Sequence, residues 1–278
     1  MTTQTARLRE VISRDGTPIV YRVTGSDDAR PLVLLHGWSA SLRCWGDVVD
    51  EFARRYKVVA VDLRGHGYSG APETGYDDPA NWAADVAAVL AAEAPNGDGV
   101  LLGWSYGGLV VCDYLADRGT ARVAGIVLTG AITGIGRNQG GGQTGPKMVA
   151  AIPGVFAESP SQAVRAFAGF GNANTGPGDD KGVIAQLMFG TSLSTPPRVR
   201  SALFYRNSGH DELLATLDIP ALILHGTADP VVDVASAEHA AQLIPDVVTS
   251  FWEGAQHGLF VEDPARFVKI VNQFVGGL

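Results

Sequence analysis

One serine stands at a junction built to expose it. Gly103-Trp104-Ser105-Tyr106-Gly107 directly follows the apolar run Val100-Leu101-Leu102 and precedes Leu109-Val110-Val111-Cys112. A strand-to-helix turn of this form lifts a hydroxyl above the edge of a sheet, as in a nucleophile elbow. The chemistry would be attack on an acyl carbon, and a serine hydroxyl needs a base for that. His257, in Gly254-Ala255-Gln256-His257-Gly258, is the expected base. Asp229, in His225-Gly226-Thr227-Ala228-Asp229-Pro230, is the expected partner that fixes the imidazole tautomer and stabilises its charged form. Both follow apolar strand candidates. In open α/β sheets, sites gather at the carboxyl ends of the strands.

Acyl transfer also develops negative charge on the carbonyl oxygen, so donors must be aimed at it. The backbone N–H of Tyr106, next to the nucleophile, is one candidate. The N–H of Trp38, in His36-Gly37-Trp38-Ser39, is the second. Each residue taken singly has an ordinary explanation. Ser105 could cap a helix, His257 could be a loop histidine, and Asp229 could make an Asx turn before Pro230. Trp38 could simply pack in the core. Their joint pattern disfavours coincidence.

The elements that would hold these residues alternate. Leu8–Ile12 and Ile19–Val23 flank Asp15-Gly16 and read as a hairpin. Apolar runs at 32–35, 58–61, 100–102, 126–128 and 221–224 read as strands covered on both faces, and 247–251 reads as the last strand. Helices are expected over 41–54, 79–93, 107–117, 233–243 and 264–275. Pro79 and Pro264 suit a first helical turn, and Asp78 and Asp263 suit the caps. The alternation is βαβα, which calls for a mostly parallel sheet. From Ala131 to Ala215 the rhythm breaks. A glycine-rich stretch, Gly134 to Gly145, leads into helical pieces near 146–152, 160–169, 181–190 and 197–205. The expected organisation is a core of 1–130 and 216–278, interrupted by a mainly helical lid over 131–215. The lid's Met, Phe and Leu content argues against full disorder.

With 278 residues the chain can bury a large core, and 46% hydrophobic with 18% charged residues describes an ordinary globular protein. A net charge of -8 with no basic stripe argues against nucleic acid and against acidic lipid as partners. Cys44 and Cys112 lack a CxxC pattern and fit free thiols in a reducing compartment. Met1–Thr5 lacks the basic and apolar segments of a signal peptide, and no apolar run reaches membrane-spanning length. The expected location is cytoplasmic. A homo-oligomer is left open.

From Val33 onward the chain resembles the α/β-hydrolase superfamily. It is most similar to the lidded esterase, lactonase and cofactor-free haloperoxidase-like branch. The matching stretches are Leu35-His36-Gly37-Trp38, Val61 to Ser69, the serine elbow, Leu224 to Asp229 and Gln256-His257-Gly258. The resemblance implies an α/β-hydrolase fold. Its mostly parallel eight-stranded sheet would be flanked by helices, with a helical lid inserted after strand 6. The resemblance also implies the order Ser, Asp, His for the catalytic residues, and no cofactor or metal. It makes Asp62–Ser69 a structural loop in which Asp62 and Arg64 tie neighbouring segments. Catalysis by His66, or metal binding by His66 with Asp62, is not expected.

Departures narrow the reading. Haloalkane dehalogenases and epoxide hydrolases of this fold use aspartate where this chain has Ser105. Many cofactor-free haloperoxidases carry Gly-Phe-Ser-Met-Gly and His-Gly-Phe-Pro, whereas this chain has Gly-Trp-Ser-Tyr-Gly and His-Gly-Trp-Ser. Carbon–carbon bond hydrolases would need a carboxylate grip, for which Arg165, Arg198, Arg200 and Arg206 are candidates. The glycines at 140–142 lack a phosphate-loop signature. The expected substrate is a small or medium, mostly apolar ester or lactone. Perhydrolase or haloperoxidase-like chemistry and C–C hydrolysis are the enzymatic alternatives. A ligand receptor on a hydrolase fold is the non-enzymatic one.

Overall fold

The computed structural model describes residues 7–176 and 181–278. Met1–Thr5, read above for targeting signals, lies outside the described residues. The strands are β1 (Arg7–Ile12), β2 (Pro18–Thr24), β3 (Pro31–Leu35), β4 (Lys57–Val61), β5 (Gly99–Trp104), β6 (Val123–Thr129), β7 (Ala221–Gly226) and β8 (Val247–Trp252). They form one eight-stranded sheet in the order β1-β2-β4-β3-β5-β6-β7-β8. The β1/β2 and β2/β4 pairings are antiparallel, and every other pairing in this sheet is parallel. The central strands β3, β4, β5 and β7 are buried along their whole length. That is why each carries an apolar run without alternation.

The helices are α1 (Val48–Ala53), α2 (Pro79–Glu93), α3 (Tyr106–Arg118), α4 (Pro146–Val155), α5 (Pro160–Thr175), α6 (Gly182–Ser194), α7 (Pro197–Phe204), α8 (Asp211–Ala215), α9 (Ala235–Leu243), α10 (Leu259–Glu262) and α11 (Pro264–Val275). Asp78 caps α2 by accepting from Ala80 N at 2.9 Å, and Asp263 caps α11 by accepting from Arg266 N at 3.0 Å. One apolar cluster fills the face covered by α2, α3 and α9; another fills the face covered by α1 and α11. The helix expected over 41–54 is instead a short 3₁₀ turn, Leu42–Trp45, followed by α1. Gly46 separates them at φ 53°, a backbone angle that an α-helix cannot contain. Sequence reading also passed over a two-residue ribbon that pairs Gly134–Ile135 with Ser208–Gly209.

Between β6 and β7, helices α4 to α7 form their own apolar cluster around Val155, Phe167 and Phe170. Trp38, from the loop after β3, packs against this cluster. It stacks on Phe167 at 6.0 Å and meets Phe156 and Phe170 edge-on. Two hydrogen bonds reinforce the contact. Trp38 Nε1 donates to the Arg200 carbonyl at 3.0 Å, and Ser192 Oγ donates to the Ser39 carbonyl at 3.0 Å.

Candidate active site

Ser105 occupies the turn between β5 and α3 at φ 55° and ψ -120°. A non-glycine residue rarely adopts this left-handed angle, and the strain persists because the surroundings over-determine it. The turn is tight: a side chain on Gly103 would lie 2.6 Å from the Gly107 backbone. Ser105 Oγ opens onto a cavity of about 520 Å³. It has no hydrogen-bond partner among the described residues.

His257, in the loop after β8, lines the same cavity. Its Nδ1 donates to Asp229 Oδ2 at 2.7 Å, and the Asp229 side chain is fully buried. Asp229 Oδ1 accepts from the Val231 and Val232 amides at 2.8 and 3.0 Å. Burial opposes the charge on Asp229. The charge of His257, with hydrogen bonds from His225 and His257, outweighs that and holds the carboxyl well below the usual range. Trp104, on the same cavity wall, donates Nε1 to the His257 carbonyl at 3.1 Å.

Trp38 and Tyr106 both line the cavity beside Ser105. Neither backbone N–H is spent on another hydrogen bond among the described residues. Two free amides next to a serine hydroxyl can receive a developing oxyanion. The structure therefore gathers Ser105, His257, Trp38 and Tyr106 around one space and sets Asp229 behind His257.

A sequence model of the alpha/beta hydrolase family matches residues 32–270. The chain belongs to the alpha/beta hydrolase family. Among solved structures, this hydrolase superposes on the esterase RhEst1 from Rhodococcus sp. ECU1013 with a TM-score of 0.96 and 60% identity, over 98% of this chain and 99% of that one. A non-heme chloroperoxidase from Streptomyces lividans is 32% identical over 91% of this chain and 94% of that protein. A pimeloyl-[acyl-carrier protein] methyl ester esterase from Aeromonas hydrophila is 29% identical over 88% and 95% respectively.

In this hydrolase the Asp62–Ser69 loop ties segments together. Asp62 accepts from the Leu42 and Tyr68 amides at 2.7 and 2.9 Å. Arg64 pairs with Asp85 at 2.6 Å and with Asp15 at 2.9 Å. His36 and His66 are buried, and each uses Nε2 as an acceptor, from Leu63 N at 3.1 Å and from Ser39 N at 3.2 Å. Burial pushes the imidazole of His66 down to about 4. Among the described residues no group of three or more His, Cys, Asp or Glu is placed to hold a metal ion.

The four arginines proposed as grips fare differently. Arg165 is exposed and does not line the cavity. Arg198 bonds the Ala71 and Pro72 carbonyls, and buried Arg200 lies 4.9 Å over the Phe167 ring. Only Arg206 reaches the cavity wall, and its guanidinium is committed to Asp113 at 2.8 Å and the Tyr106 hydroxyl at 3.0 Å.

One functional neighbour was missed. His225, on β7, places Nε2 at 2.9 Å from the Val232 carbonyl and 3.3 Å from Asp229 Oδ2. Both atoms are acceptors, so Nε2 carries the hydrogen and steadies the carboxylate and its loop together. The signal lay in the four-residue spacing of His225 and Asp229, which carries no meaning until strand and turn are folded.

Proposed function

We propose that this chain is a carboxylic-ester hydrolase that works through an acyl-enzyme on Ser105. The observation that carries the reading is the orientation of His257. Its Nδ1 is fixed on buried Asp229, which leaves Nε2 as the basic nitrogen toward the Ser105 cavity. His257 takes the Ser105 proton as Oγ attacks the ester carbonyl. The oxyanion is received by the N–H groups of Trp38 and Tyr106. The tetrahedral intermediate then collapses, and His257 gives its proton to the departing alcohol. Water, deprotonated by the same imidazole, attacks the acyl-enzyme and releases the acid. Every step uses groups of the chain itself, without metal or cofactor.

The substrate is a small or medium, mostly apolar ester or lactone. The cavity volume is drug-sized, and its wall includes Trp38, Trp104, Ile132, Met148, Phe170 and Phe204. Residues 131–215 act as the lid that selects it. Among the described residues no helix is long and apolar enough to cross a membrane; a cytoplasmic location fits this. Ser105→Ala is expected to abolish turnover of p-nitrophenyl butyrate without changing the melting temperature. Near-full activity in that variant would remove the mechanism.

A second reading is supported by the similarity to non-heme haloperoxidases at 32% and 33% identity. Peroxide would replace water at the acyl-enzyme and yield a peracid. Bromide oxidation in acetate with peroxide, measured beside ester hydrolysis, separates the two.

A further inference from the structure

Among the described residues, the cavity wall carries one buried polar side chain that the proposed mechanism does not use and the fold does not occupy. Its buried polar members are Ser105, Asn174, Arg206 and His257. Ser105 and His257 perform the reaction, and Arg206 is committed to Asp113 and Tyr106. Asn174 remains. It lies on the last turn of α5, is 8% exposed, and its side-chain amide has no hydrogen-bond partner among the described residues. Arg137, Gln143, Thr144, Tyr205 and Asn207 also line the cavity, but they are exposed to bulk solvent.

Asn174 is buried, and its side-chain amide has no partner among the described residues and opens only onto the cavity, so water or a bound ligand must pair with it there. The neighbours of Asn174 in the chamber do not answer it: Phe170 lies one turn earlier on the same helix, and Met148 and Val231 complete the apolar wall. A substrate that enters the cavity displaces water from this amide and has to replace its hydrogen bond.

Its position says which part of the substrate that is. The backbone carbonyl of Asn174 packs directly on Gly258, leaving no room for a Cβ there. This holds the end of α5 against the residue after His257, and Asn174 and His257, the group proposed to protonate the departing alcohol, line the same cavity. We infer that Asn174 forms a polar subsite for the alcohol half of the substrate, and that the preferred ester carries a second oxygen, as ether, hydroxyl or carbonyl, in its alcohol moiety. This inference rests on the ester-hydrolase reading. It refines the expectation of a mostly apolar substrate: the acyl half is apolar, and the alcohol half bears one hydrogen-bonding atom.

The test uses a matched pair, 2-methoxyethyl butyrate and n-butyl butyrate, which differ by one oxygen in place of one methylene. The readout is the ratio of their kcat/KM values in the wild type divided by the same ratio in Asn174→Leu. This quotient cancels the intrinsic reactivity of the two esters. A single neutral hydrogen bond predicts a quotient of about five to ten. Asn174→Ala repeats the measurement with a smaller side chain. A second pair, with the extra oxygen in the acyl half, is expected to give a quotient near one. A quotient near one for the first pair in both variants would overturn the subsite. If neither ester is turned over, or if Ser105→Ala turns them over as well as wild type does, the ester-hydrolase reading itself has failed.

Discussion

Ser105 and Asp229 show how much one residue depends on its immediate neighbours. Ser105 is held in a left-handed turn, and Asp229 stays ionised in a buried place because two backbone amides and two imidazoles surround it. His225 is the least obvious of these supports. Replacing it with leucine removes the N–H from Asp229 and from the Val232 carbonyl together. We expect His225→Leu to lower kcat on the order of tenfold, with His225→Gln recovering part of the loss. The loss is expected in kcat, with KM little changed. An unchanged kcat with only a lower melting point would reduce His225 to a structural role. The serine, the aspartate and the histidine could be read from the sequence because each stands in a short motif with a chemical meaning. His225 and Asn174 could not. Their proposed roles depend on a cavity and a carboxylate site that exist only once distant segments meet.

At the scale of elements, the strands were legible because complete burial demands unbroken apolar runs, as in Leu32–Leu35 and Ala221–Leu224. Helix starts were legible at Asp78-Pro79 and Asp263-Pro264, where cap and first turn announce themselves. The break at Gly46 was not, since a glycine inside an apolar helix pattern reads equally well as a tolerated one. The loops around the site make a testable point about acid. His66 accepts the Ser39 N–H and is buried, so protonation breaks that bond and places a charge in the core. Its ordinary value is about 6.5, and in the fold it is pushed down to about 4. Between those values the unfolded chain binds the proton and the folded one does not. Stability is therefore full above pH 6.5 and declines as pH falls toward 4, by about 3 kcal/mol from this group. Burial and the nearby His66 push His36 the same way, which adds to the decline. Urea unfolding at pH 7 and pH 4.5 measures it, and His66→Gln should flatten the slope. An unchanged slope in that variant would place the acid sensitivity elsewhere.

For the molecule as a whole, the bonds between the core and the helical insertion matter more than either part alone. Asp113 on α3 receives Arg206 at 2.8 Å and His210 at 2.9 Å, and the carboxylate is wholly buried. Asp113→Leu leaves an uncompensated guanidinium inside. We expect a loss of about 3–5 kcal/mol, seen as an earlier thermal midpoint for core and insertion in a single transition. Two separate transitions, with the core unaffected, would show that the pair does not join them. The βαβα rhythm and its break at 131–215 suggested a core and an insertion, but nothing in it pointed to this buried pair, whose members are 93 residues apart.

The Trp38 loop has a consequence for how such enzymes diverge. Its indole is latched to the Arg200 carbonyl and its neighbour Ser39 to Ser192. A lineage that exchanges this insertion for another inherits a different latch on the very loop proposed to offer an amide to the reacting oxygen. Substrate range and turnover are then heritable together. A transplanted insertion that arrives without its matching His-Gly-Trp-Ser segment brings a new appetite and a poorer engine.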